Sequence, residues 1–128
     1  MERLVIEQTK ATPQIDFDAD LGLLSIKGQS YPENAFKFYE PVLKWLDQFF
    51  QVTEVEKLIT VEFGMPYINT SSSKCIMMLL EKLEEADKAG KKVVVNWYYD
   101  EENDCELECA EEFKEFVDLT FNIISFKS

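Results

Sequence analysis

The stretch from Leu58 to Trp97, LITVEFGMPYINTSSSKCIMMLLEKLEEADKAGKKVVVNW, decides the fold. It opens on a β-rich run, Leu58 to Phe63, closed by Gly64 and Pro66. A helix is expected from about Ser72 to Ala89, because Ile76, Leu79, Leu80 and Leu83 recur at helical spacing and Ala89-Gly90 is a stop signal. Val93 to Trp97 is the next strand, and its three consecutive valines suit a strand covered on both faces. Strand, helix and strand in this order form a crossover unit, and crossovers join parallel strands.

The pattern extends outward in both directions. Downstream, Leu107, Ala110, Phe113 and Val117 line one side of a third helix, and Phe121 to Phe126 is a last strand. Upstream, Arg3 to Glu7 reads as a short edge strand. Gln14–Asp18 and Leu23–Lys27 form a hairpin around the turn residues Ala19 to Gly22. Phe36, Tyr39, Leu43, Leu46 and Phe50 mark the first helix. Ser30-Tyr-Pro-Glu33 matches a capping box, with Pro32 in the first turn where its missing N–H costs nothing. Pro41 removes the bond to Lys37 and is expected to bend or split that helix. The order (β)ββ-α-β-α-β-α-β predicts a single small α/β domain over residues 1–128, a mixed sheet with helical crossovers.

Composition narrows the function. A chain of 128 residues, 46% hydrophobic and 30% charged, suits one soluble domain. No apolar run approaches the roughly 20 residues that span a bilayer. The start MERLVIEQTK does not read as a signal peptide, so a cytoplasmic location away from the membrane is the expectation. With 13 basic against 25 acidic residues, a net of −12, nucleic acid is not an expected partner. Between Asp100 and Asp118 ten acidic residues face a single lysine. That segment is either a solvated helix face or a negative surface that steers a basic partner protein. Cys105 and Cys109 share one side of a helix, but without histidine they make no zinc site, and reduced thiols fit a cytosolic protein.

Catalytic machinery is hard to find. The chain has no histidine, no glycine-rich phosphate loop, and an isolated Ser71-x-x-Lys74 whose usual companion motifs are missing. No enzyme activity, cofactor or metal is expected. What stands out is Asn69-Thr70-Ser71-Ser72-Ser73, at the end of one strand and the start of a helix. In open α/β sheets ligands gather at that edge. Any of Asn69, Thr70, Ser71 or Ser72 can cap the helix, which by itself accounts for hydroxyls in such a turn. The unpaired first-turn N–H groups and the positive helix end also tolerate a phosphate well. Position alone does not choose among the hydroxyls.

Three stretches, Gly28-Gln-Ser-Tyr-Pro-Glu-Asn34, Tyr67-Ile-Asn-Thr-Ser-Ser-Ser-Lys74 and Asn96-Trp-Tyr-Tyr-Asp100, together resemble the SiaC-type family of bacterial regulatory phosphoproteins. The resemblance covers nearly the whole chain. It implies a STAS-like fold, similar to anti-sigma-factor antagonists, and a partner switch linked to cyclic di-GMP signalling and biofilm formation. A cognate serine/threonine kinase with an anti-sigma-like ATPase fold adds a phosphate and a PP2C-type phosphatase removes it. The unphosphorylated form binds and activates a diguanylate cyclase. The phosphorylated threonine of the family matches Thr70, with Asn69, Ser71, Ser72 and Ser73 as its supports. Ser30, Tyr31, Pro32, Glu33 and Asn34 are either a rigid cap or a docking surface, Tyr31 being the preferred contact. Met77 and Met78 are further contacts if exposed. Ser73 and Cys75 depart from the family pattern; Cys75, at a helix start, is expected to be a buried filler whose pKa is somewhat lowered. The other reading is a constitutive acidic binding module, with residues 100–118 as its contact surface and Thr70 as part of a cap.

Overall fold

The computed structural model describes residues 1–54 and 56–127. The elements are β1 (Leu4–Ile6), β2 (Gln14–Asp18), β3 (Leu23–Lys27), α1 (Ala35–Val52), β4 (Leu58–Gly64), α2 (Thr70–Lys88), β5 (Lys92–Asp100), α3 (Asp104–Phe116) and β6 (Thr120–Phe126). Six strands form one sheet in sequence order, antiparallel from β1 to β3 and parallel from β3 to β6. This is the expected mixed sheet with helical crossovers.

Right-handed crossovers that step one strand at a time in one direction put every helix on the same face. Burial follows that rule. Ile15 and Phe17, Leu24 and Ile26, Ile59, Val61 and Phe63, and Val93, Val95 and Trp97 are at most 2% exposed, while the residues between them face outward. Phe17 meets Trp45 of α1 edge-on at 5.3 Å, and Trp97 stacks on Phe63 at 4.5 Å and on Phe113 of α3 at 5.1 Å. These five large aromatics each remove more than about 100 Å² from water. β5 is therefore not covered on both faces as its valines suggested: Val94 and Asn96 are only half-buried, on the open face. The valine run reflects the fit of β-branched side chains to a pleated surface.

The first helix differs from expectation at its start. Ser30 does not cap it and Pro32 is not in its first turn. Asn34 is the N-cap, its Oδ1 accepting the Lys37 N–H at 3.0 Å. Pro41 does not split α1, which runs unbroken to Val52. Pro41 and Lys37 both face solvent, so water can satisfy the carbonyl that loses its partner. The buried face of α1 is Tyr39, Val42, Leu43, Trp45, Leu46 and Phe49, whereas Phe36 is 53% exposed and Phe50 half-buried.

Candidate functional site

β4 ends at Gly64 and the chain enters α2 through residues 65–69. Here two distant stretches of sequence meet. Past the end of β3, Ser30 forms a parallel bridge with Ile68. The Ser30 N–H donates to the Tyr67 carbonyl at 2.8 Å, and the Asn69 N–H donates to the Ser30 carbonyl at 2.9 Å. The path requires Gly28, whose φ is +123° and where a Cβ would lie 2.7 Å from Nε2 of Gln8. With its backbone held in this bridge, Ser30 cannot serve as the cap of α1.

Asn69 is the N-cap of α2. Its Oδ1 accepts the Ser72 N–H at 2.9 Å, and its carbonyl accepts the Ser73 N–H at 2.9 Å. Cap selection is thereby settled in favour of Asn69, and the hydroxyls are free for other roles. Ser72 turns inward and is fully buried, as is Ser30. The Ser30 hydroxyl donates to Ser72 Oγ at 2.8 Å and lies 2.7 Å from the Tyr39 hydroxyl. Because Ser30 gives its proton to Ser72, Tyr39 is the donor to Ser30. Burial pushes the Tyr39 phenol up to about 12, against the pull of the Ser30 hydrogen bond, so it keeps its proton. Three buried hydroxyls thus tie the β3–α1 connection, the core of α1 and the first turn of α2 together.

This corrects the expected contact role of Ser30: with no exposed surface, it fixes the loop instead. Tyr31 and Pro32 are half-buried, and Glu33 and Asn34 exposed, although the Asn34 oxygen is occupied by its own helix cap. Tyr31 packs edge-on against the half-exposed Tyr67 at 6.1 Å, joining the two motifs at the surface.

Thr70 is the first residue of α2 and is exposed, as is Ser71; Ser73 is half-buried. The first turn carries no acidic side chain, and Lys74 lies exposed one turn further on. A groove of about 350 Å³ runs beside this turn to the start of α1, lined by Glu33, Phe36, Ser71, Lys74 and Met78 among others. Of the two methionines, Met78 is 39% exposed and Met77 packs partly against the core. Phe36, one of the residues whose helical spacing marks the first helix, is exposed and part of this surface. Cys75 is buried as expected, but burial pushes its thiol up rather than down, desolvation outweighing the helix end. The groove is mostly apolar, with Phe36 and Met78 in its lining and Glu33 and Lys74 supplying its charges, and it lies beside a capped helix end. Among the described residues there is no cluster of His, Cys, Asp and Glu able to hold a metal ion, and no helix long and apolar enough to cross a membrane.

Known proteins share this fold. The family described as SiaC family regulatory phosphoprotein matches residues 6–126, a span that contains both motifs. A relative described as an uncharacterized protein of Pseudomonas aeruginosa (strain UCBPP-PA14) is 37% identical over 123 residues, 96% of each chain. Among solved structures, SiaC of Pseudomonas aeruginosa matches with a TM-score of 0.91 at 36% identity, covering 98% of this chain and 100% of that one. A chain in the crystal structure of the diguanylate cyclase SiaD in complex with its activator SiaC, from the same organism, matches with a TM-score of 0.90 at 36% identity, over 96% and 99% of the two chains. Fold, length and motif-bearing span agree, and this chain is a member of the SiaC family of regulatory phosphoproteins, a non-enzymatic regulator.

Proposed function

We propose that this protein is a phosphorylation-controlled partner switch acting in the cytoplasm. Its unphosphorylated form binds and activates a diguanylate cyclase, and a phosphate placed on Thr70 by a cognate serine/threonine kinase of anti-sigma-like ATPase fold releases it. A PP2C-type phosphatase resets the switch. The observation that carries the reading is the placement of Thr70: an exposed hydroxyl on the first residue of α2, beside an apolar groove and free of any cap duty. The relative whose structure was solved with a diguanylate cyclase is described there as its activator, which supports the choice of effector.

The physical mechanism is a change of charge at a packed surface. Phosphorylation adds roughly −1.5 to −2 charges and three acceptor oxygens. Within the protein these are tolerated, because the helix end is positive, its first turn lacks acids and Lys74 is one turn away. The fold is therefore retained. A partner closing over Tyr67, Phe36 and Met78 instead meets a hydrated dianion it has no group to pair with. Ser71 and Ser73 flank the site, while Asn69 and Ser72 hold the turn that presents it.

Phosphosite mapping on protein recovered from its native cells, with its co-purifying partners identified, tests both halves together. One phosphate on Thr70, absent from T70A, and a cyclase bound only to the unmodified form are expected. Phosphate on Ser71 or Ser73 with Thr70 unmodified overturns the site assignment; equal recovery of the cyclase with both forms overturns the switch.

A further inference from the structure

The two edges of the sheet differ in how they are defended. An edge strand offers unpaired N–H and C=O groups, and soluble proteins blunt it by shortness, charge, proline or a bulge. β1 is three residues long, and Arg3 next to it forms a two-pronged contact with Asp16 of β2 at 2.7 Å. β6 has none of these defences. Thr120-Phe-Asn-Ile-Ile-Ser-Phe126 is seven residues long, is paired with β5 along its whole length, and contains no charge, proline or glycine. Ile123 and Ile124 are half-buried and Phe126 is 44% exposed.

Beside this edge, under α3, lies a groove of about 650 Å³ lined by Tyr99, Leu107, Glu111, Lys114, Glu115 and Ile123. Leu107 and Ile123 supply its apolar floor, and Glu111 and Glu115 outweigh the one Lys114, so its rim is net negative. We propose that the β6 edge is a second docking surface, which takes an extended segment of a basic partner protein as a seventh strand. Alternation along an added strand sends every second side chain into the groove and the others beside Ile124 and Phe126 on the open face. The segment's inward row is mixed apolar and basic, matching Leu107 and the two glutamates, and its outward row is apolar. A second copy of this chain is the wrong occupant. It would bring Glu111 and Glu115 of two acidic helices together, in a molecule already carrying a net charge of −12.

The test uses the full chain, labelled with ¹⁵N, and a capped synthetic heptapeptide, Val-Lys-Val-Leu-Val-Lys-Val. Saturating peptide is expected to slow amide exchange at least about tenfold at the alternate amides of residues 120–126 that point away from β5, the signature of strand addition. The doubly reversed E111K/E115K protein is expected to bind at least about tenfold more weakly. The E81K/E85K protein, which has the same net charge but carries its reversals on exposed positions of α2, is expected to bind within about threefold of the original. Circular dichroism checks that both variants fold. No binding, binding without protection in residues 120–126, equal losses in the two variants, or equal affinity for the peptide with glutamates in place of lysines each overturns the proposal. So does a dimer, found by sedimentation without peptide, in which these amides are already protected. Because neither peptide nor variants involve Thr70, the outcome is independent of the phosphoswitch.

Discussion

The N-termini of α2 and α3 are built alike and charged differently. Asn69 accepts the Ser72 N–H at 2.9 Å, and Asn103 accepts the Glu106 N–H at 3.1 Å, so both helices use the same asparagine cap. The first turn of α3 already holds Asp104 and Glu106, whereas that of α2 holds Thr70, Ser71 and Ser72 and no acid. A carboxylate in the first turn answers the helix dipole permanently. Hydroxyls leave it unanswered, and a phosphate on Thr70, as proposed above, would be the charge that answers it. The cap makes the helix end, and the residues behind the cap decide whether its charge can be switched.

The largest expected effect breaks this comparison at Thr70. On the proposed function T70E introduces a charge into the partner surface, and an unpaired charge in a packed interface costs on the order of 2 kcal/mol or more, about thirtyfold in affinity. Calorimetric titration of the partner should show that loss. D104T, which removes a charge from the matching position of α3, should leave the same affinity within about twofold. If the two substitutions have similar effects, Thr70 has no special place in the interface.

Next in size is the hydroxyl chain, which ties α2 into the core. S30A strands Tyr39 and Ser72 without the partner each has in the native core, and a cost of about 2 kcal/mol is expected in urea unfolding. Y39F removes only the terminal donor and should cost about 1 kcal/mol. The two losses should not add, because both act through Ser30. Additive losses would mean that the three hydroxyls do not act as one unit.

Much of the architecture was legible because it rests on local patterns. The β-rich run of β4 and the helical spacing in α2 both carried through to the observed elements. Thr70 was singled out by resemblance, not by position, since the residues alone left all the hydroxyls equivalent. The roles of Ser30 and Ser72 were not legible. A serine three residues ahead of a glutamate looks like a capping box, and only the bridge between Ser30 and Ile68 shows that its backbone is already engaged. The place of Phe36 was not legible for a related reason. Helical spacing identifies a stripe, but the true face of α1 is centred on Tyr39, Val42 and Leu46, which leaves Phe36 beside the groove. One-sided coverage of β5 likewise follows from the sequential strand order, which periodicity does not contain.

Asn69 and Asn103 give a closer test of the likeness between the two caps. Each alanine replacement should cost about 1 kcal/mol in urea unfolding, as loss of a side-chain cap usually does. N69A alone should also weaken partner binding, because the turn that presents Thr70 loses its anchor. Equal effects of N69A and N103A on binding would show that the geometry of the first turn of α2 is irrelevant to recognition.

The smallest effect sharpens the charge difference. Glu106 answers the dipole of α3 from a buried position, 7% exposed; burial and the nearby Asp100 charge push its carboxyl up, more than a backbone hydrogen bond from Asp100 and the Asn103 contact pull it down. A carboxyl that holds its proton more tightly when folded makes the native state bind more protons than the unfolded one. Stability then falls as pH rises from the unfolded pKa, near 4.5, through the raised folded value. E106Q removes this penalty while keeping the shape. Its Tm should therefore exceed that of the parent at pH 7, and the difference should fade as pH drops below 4.5. An E106Q protein less stable than the parent at pH 7 would mean that the carboxylate's attraction to the helix end outweighs its burial, making α3 an N-terminus that needs its charge as α2 needs to be without one.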